Sequence, residues 1–371
     1  MMQTGFILNR RDDLIWFLGL PFAAIAFALA GRALLPGVAL ASVSLWVTVP
    51  HHFVTWLRTY GLASERSFWK WRLTIAPFVI LAAVVTGLLW APLTTVIVVM
   101  LWDNQHSIMQ QHGFARIYDF KAGTGADSTR TFDLILTWVL YVNLFLTAPL
   151  FAQIWVPWLY TLELPITVPQ LRSVQFVSWV IAGSYCLLYV GHVVWSLARG
   201  YRINPIKYVF IASSFFLWYF TAWYTDSILV AGIAHKVMHG CQYIVIAFWY
   251  TRRTVDSGGK RDRLTAKIVR PGNLKVFFVA CLMYALAYQV LVGYPLAEFG
   301  FGYFPFNQLA LPLNALLEAV TSLEPEGTGP YGGLNGYDLY AAAIVNSTSV
   351  THYYFDSFIW KVRDRRTQGG L

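Results

Sequence analysis

Apolar runs long enough to cross a hydrocarbon core recur along this chain, and most are bounded by basic residues or turn formers. A helical span needs about 17 to 25 such residues. In lipid every backbone amide and carbonyl must be satisfied internally, so only helices or a closed barrel can span, and a barrel would alternate apolar with polar residues. The runs here do not alternate. The pattern predicts an all-α polytopic transmembrane bundle of about ten spans, over 14–30, 39–57, 73–89, 94–115, 132–151, 176–197, 208–224, 229–250, 276–292 and 339–360. Composition agrees: 57% of residues are hydrophobic and only 12% charged, against about 25% charged in soluble domains.

Charge sets the expected orientation, because short loops rich in Lys and Arg stay in the cytoplasm. With ten spans, the 27 Lys and Arg residues fall on one side, apart from Arg32, Arg172 and the intramembrane Lys236. A span missed mid-chain would scramble that bias. Both termini are therefore expected in the cytoplasm, across a bacterial inner membrane. The apolar stretch after Arg10 and Arg11 is long for a signal peptide and opens with Asp12 and Asp13, so it reads as the first span.

The net charge of +9 follows from the same asymmetry, with attraction to membrane lipids, and gives no reason to expect nucleic acid. Cys186, Cys241 and Cys281 lie within spans without CxxC spacing and read as small buried hydrophobes. One membrane domain is expected over 1–371. Its longest outer loop, 293–337, would hold an interfacial or re-entrant helix near 309–323, and 154–169 would lie along the outer interface.

Polar groups that persist in lipid usually face the bundle interior and serve function. All eight histidines fall on even-numbered spans: His51 and His52 on the second, His106 and His112 on the fourth, His192 on the sixth, His235 and His239 on the eighth, His352 on the tenth. At a rise of about 1.5 Å per residue, His52, His192 and His352 lie roughly 9 to 14 Å before their basic anchors, which puts them near the cytoplasmic face. His239 lies roughly 20 Å before Arg252, so either the eighth span projects into the cytoplasm or the site is deeper there. His235 and His239 share a helix face, as do His352 and Asp356. His106 and His112 are six apart and point in different directions. His192 stands alone and fits a packing role best, and with His51 it is a second choice as ligand behind His52, His106, His112, His235, His239 and His352, with Asp356 as ligand or supporting carboxylate. Asn104, Gln105, Gln110, Gln111, Gln242, Tyr243, Asn346, Ser347, Thr348 and Thr351 supply polar neighbours.

Imidazoles without thiolates suit iron, copper, zinc or nickel and argue against Fe–S clusters. His51-His52 and His235-xxx-His239 look like reduced histidine boxes, and the arrangement resembles the membrane non-haem iron oxygenases of the fatty-acid desaturase and hydroxylase type, although no HxxHH occurs. It also resembles the bacterial carotene-cleaving oxygenases, a match that would use His51 or His52, His106 or His112, His235 and His239 and leave His352 without a role. These resemblances imply an O2-dependent oxidoreductase, monooxygenase or desaturase-like, with one or two non-haem iron ions. It would hydroxylate, desaturate or cleave an apolar small molecule and draw on an external, ferredoxin-like electron donor. Two other classes stay open: a metal-ion or proton transporter using Asp103, Lys236, Asp356 and the histidines, and a haem or quinone redox protein.

Overall fold

The computed structural model describes residues 2–258, 262–270, 272, 274–292, 311–320 and 336–371. Among them the chain is helical and without named strands, with one isolated backbone bridge from Met2 to Ile203. In chain order the helices are α1 (Arg10–Asp13), a π-helical turn (Leu14–Gly19), α2 (Leu20–Leu34), α3 (Gly37–Thr59), α4 (Ala63–Phe68), α5 (Lys70–Trp90), α6 (Pro92–Ala122), α7 (Asp127–Thr147) and α8 (Pro149–Thr161). They continue with α9 (Val168–Ala198), α10 (Pro205–Tyr224), α11 (Ile228–Gly258), α12 (Arg263–Val269), α13 (Leu274–Val292), α14 (Leu313–Val320), α15 (Gly336–Ile359) and α16 (Arg365–Gly370).

Each predicted span falls largely on a helix. Seven helical segments among the described residues are long and apolar enough to cross a membrane: Arg10–Leu34, Gly37–Thr59, Lys70–Trp90, Asp127–Thr147, Val168–Ala198, Ile228–Val255 and Leu274–Val292. The helices α6, α10 and α15 occupy the other three predicted positions but fall short in apolarity. Part of the stretch expected along the outer interface is the C-terminal half of helix α8. Most of 293–337 lies outside the described residues. Within it, α14 begins directly after Pro312, where a proline that cannot donate a backbone hydrogen bond costs least.

The chain divides into two compact units, the first comprising Met1–Leu29, Asn104–His235 and Pro305–Pro330, the second Ala30–Asp103, Lys236–Phe304 and Tyr331–Leu371. In the first, α7 packs along α9, and α10 packs on α7 and α8. Its polar centre is a quartet of buried Lys207, Asp119 and Asp133 with half-buried Arg116. Lys207 Nζ lies 3.1 Å from Asp119 Oδ2 and 3.0 Å from Asp133 Oδ2, and Arg116 reaches the same carboxylates at 2.8 and 3.5 Å. Tyr189 donates to Asp133 at 2.7 Å and Thr124 to Asp119 at 3.0 Å. Two cations and two carboxylates balance, which is how charge survives burial. Gly125, at φ 91°, sits so close that a side chain there would meet Asp119.

In the second unit α13 packs on α3, and α15 packs on α5 and α3. Val54, Leu57, Tyr243, Ala247, Val269, Phe277 and Cys281 form one apolar cluster there. A Cβ on Gly240 would lie 2.7 Å from Val47 Cγ1, so α3 and α11 approach through the missing side chain. Arg58, one of the basic residues expected on the cytoplasmic side, is fully buried. Its guanidinium lies between Tyr250, 3.8 Å from the ring centroid, and Trp360, 3.5 Å away, and donates to the Ile359 carbonyl. The aromatic faces take the place of a carboxylate partner.

A candidate metal centre

The second unit gathers four of the eight histidines. Pro50 lacks the N–H that would bond the Trp46 carbonyl, which loosens α3 just before His51 and His52. Two consecutive residues on a helix point about 100° apart, yet here both rings meet others. The His51 ring centroid lies 4.5 Å from that of His52, 4.9 Å from His239 and 4.5 Å from His352, and His52 lies 4.7 Å from His352. The close approach at Gly240 explains the contact with His239, its chain neighbour.

His51, His52 and His352 are buried, and each brings a ring nitrogen to within 4.8 Å of the other two. His51 Nε2 and His352 Nε2 are 2.9 Å apart. Two nitrogens bound at right angles to a metal at about 2.0–2.1 Å would be separated by about 2.9 Å. An imidazole–imidazole hydrogen bond has the same length, so the spacing fits both. His52 separates the two possibilities. Its side chain is fully buried, and neither nitrogen has a hydrogen-bond partner among the described residues. Native interiors rarely leave such atoms unsatisfied without an ion or water to meet them.

A polar chain runs away from this cluster. His352 Nδ1 is 2.8 Å from Thr55 Oγ1, Thr55 donates to Tyr243 Oη at 2.7 Å, and Tyr243 donates to Asp356 Oδ1 at 2.7 Å. Trp360 also donates to Tyr243 Oη, at 3.2 Å. Asp356 Oδ2 lies 3.8 Å from His352 Nε2, so this carboxylate touches both ends of the chain. Tyr243 is visible in the sequence as a polar neighbour of His239. Thr55 is not, because a threonine in an apolar helix usually bonds back to its own backbone. Its spacing of four residues from His51 was the available signal.

The remaining histidines belong to the first unit. His235 Nε2 is 2.7 Å from Ser107 Oγ, and its ring packs on Trp218 at 4.3 Å. His106 is buried and His112 half-buried on α6. His192 stacks face to face on Phe132 at 4.0 Å and lies 3.3 Å from Thr129 Oγ1. Groups of three potential ligands among the described residues do not include His112, His192 or His235.

No family model matches the chain, and neither a curated protein nor a solved structure is significantly similar to it. Fold and composition define its class: a helical protein with the character of an integral membrane protein, bearing a buried histidine cluster.

Proposed function

We propose that this protein is an integral-membrane metalloprotein. In this reading a non-haem transition metal, iron by preference, is held by His51, His52 and His352, with His239 as a further donor and Asp356 as supporting carboxylate. The observation that carries the reading is His52, buried beside two other imidazoles with both nitrogens unsatisfied. The residues fit the metal: imidazole donors suit iron, copper, zinc and nickel. Whether one or two iron ions bind is a matter for stoichiometry.

The activity proposed is O2-dependent oxidation of an apolar, bilayer-soluble substrate. Bound iron would supply oxygen activation. For hydroxylation, the substrate C–H bond and O2, with two electrons and two protons, give the alcohol and one water, so a donor of the ferredoxin class must deliver the electrons. The side chains contribute buried surroundings and fixed ligand orientation. Ten spans, cytoplasmic termini and a site near the cytoplasmic face of a bacterial inner membrane belong to the same proposal.

The test is metal analysis of detergent-purified protein after anaerobic iron loading. Stoichiometric metal that is lost in His52→Ala and His352→Ala is expected; no stoichiometric metal in the wild type sinks the proposal. A cation flux into proteoliposomes that disappears in Asp356→Asn would instead make the protein a transporter.

A further inference from the structure

We infer that Thr55 and Tyr243 are positioning residues that fix His352 as the Nδ1–H tautomer and so leave its Nε2 lone pair for a metal, an inference that rests on the metal reading above.

Each hydroxyl along the chain has a single proton to place. The Tyr243 hydroxyl has one hydrogen and two lone pairs. Two donors reach its oxygen, Thr55 at 2.7 Å and the Trp360 indole at 3.2 Å, so its single proton goes to Asp356 Oδ1, 2.7 Å away. Thr55 in turn has one hydrogen. It is donated to Tyr243 Oη, with the His51 carbonyl as a second acceptor at 3.4 Å, and the role of His352 Nδ1 follows from that direction. Neither choice points that proton at His352. The 2.8 Å contact between Thr55 Oγ1 and His352 Nδ1 can then be a hydrogen bond only if the imidazole donates. A neutral imidazole with Nδ1–H carries its lone pair on Nε2.

That nitrogen is the one facing the cluster, 2.9 Å from His51 Nε2. With Asp356 ionised, its carboxylate anchors the far end, because a carboxylate accepts and never donates. Metal-bound histidines commonly have the second ring N–H held in this way, and the loss of such a partner weakens metal binding by about 10- to 100-fold. What is unusual here is the distance covered: the carboxylate's preference reaches the ring through two hydroxyls on two different helices.

The chain makes an asymmetric demand on variants. Thr55→Val keeps the shape but removes the hydroxyl, whereas Thr55→Ser keeps the hydroxyl. Tyr243→Phe removes the acceptor beyond Thr55 and frees its proton to turn towards His352 Nδ1, which would move the ring hydrogen to Nε2.

The full-length protein in nanodiscs is titrated with cobalt(II) against a competing chelator, and the tautomer of His352 is read from 15N shifts of 15N-histidine-labelled protein, assigned by difference against His352→Gln. Expected results are an Nδ1–H ring in metal-free wild type, cobalt affinity lower by about 10- to 100-fold in Thr55→Val and Tyr243→Phe, and affinity close to wild type in Thr55→Ser. An Nε2–H ring in the wild type overturns the inference. So does wild-type affinity in Thr55→Val, or, if that variant does not fold, in Tyr243→Phe. A wild type that binds no cobalt yet shows the Nδ1–H ring sinks the metal reading and supports the tautomer lock.

Discussion

At the scale of single residues, His52 and Thr55 lie on one helix within a turn of each other and have opposite polar surroundings. Thr55 is hydrogen-bonded to two side chains, while His52 has no hydrogen-bond partner among the described residues. A buried polar group left unsatisfied costs about 1–3 kcal/mol. Replacement by an apolar residue of similar size removes that cost, so His52→Leu is expected to match or exceed the wild type in thermal stability without metal. Added metal should stabilise only the wild type. A metal-free His52→Leu protein that unfolds well below the wild type would make His52 a packing residue. The histidines themselves were legible in the sequence because ionisable groups stand out in apolar helices. Which of them meet was not. His51 and His352 are separated by 301 positions, and helical periodicity says nothing about contacts of that range.

At the scale of elements, the site depends on how closely two helices approach. Gly240 lets Val47 of α3 press against the backbone of α11, which seats His239 against His51. In Gly240→Ala the new methyl must push Val47 aside, and overpacking of this kind costs about 1–3 kcal/mol. We expect Gly240→Ala to fold with a lowered melting temperature and to lose metal affinity, although it alters no ligand. Unchanged affinity, measured by the same chelator competition, would show that the approach of α3 and α11 does not set the cluster. The helices were readable from the apolar runs because each run falls largely on helix, although α6, α9 and α11, of 31 residues each, extend beyond theirs. Gly240 was not, since a glycine in an apolar helix gives no sign of which neighbour fills its place. The surroundings of Arg58 were illegible for a related reason: at a helix end it resembles any basic residue, and only the fold shows Tyr250 and Trp360 closing over it.

At the scale of the whole molecule, parity carries information. An even number of spans puts both termini on one face, and an odd number puts them on opposite faces. Seven helical segments meet the length and apolarity of a span, and α6, α10 and α15 would bring the number to ten. Two of those three carry site candidates, His106 and His112 on α6 and His352 and Asp356 on α15, and α10 carries Lys207. Such polar residues lower hydropathy, so a functional helix is the kind a hydropathy measure passes over. Reporter fusions active in only one compartment, placed at each terminus in bacterial cells, are expected to give the same cytoplasmic signal. Opposite signals would exclude ten spans. The balanced quartet around Lys207 bears on how such a chain is assembled in time. Asp119, Asp133 and Lys207 are contributed by α6, α7 and α10, and none of these charges can be buried alone without a large penalty. As the chain emerges, the carboxylates come first and the lysine last. The quartet is therefore expected to act as a latch: Arg116 of α6 answers one carboxylate, and the second negative charge stays unmet until α10 brings Lys207.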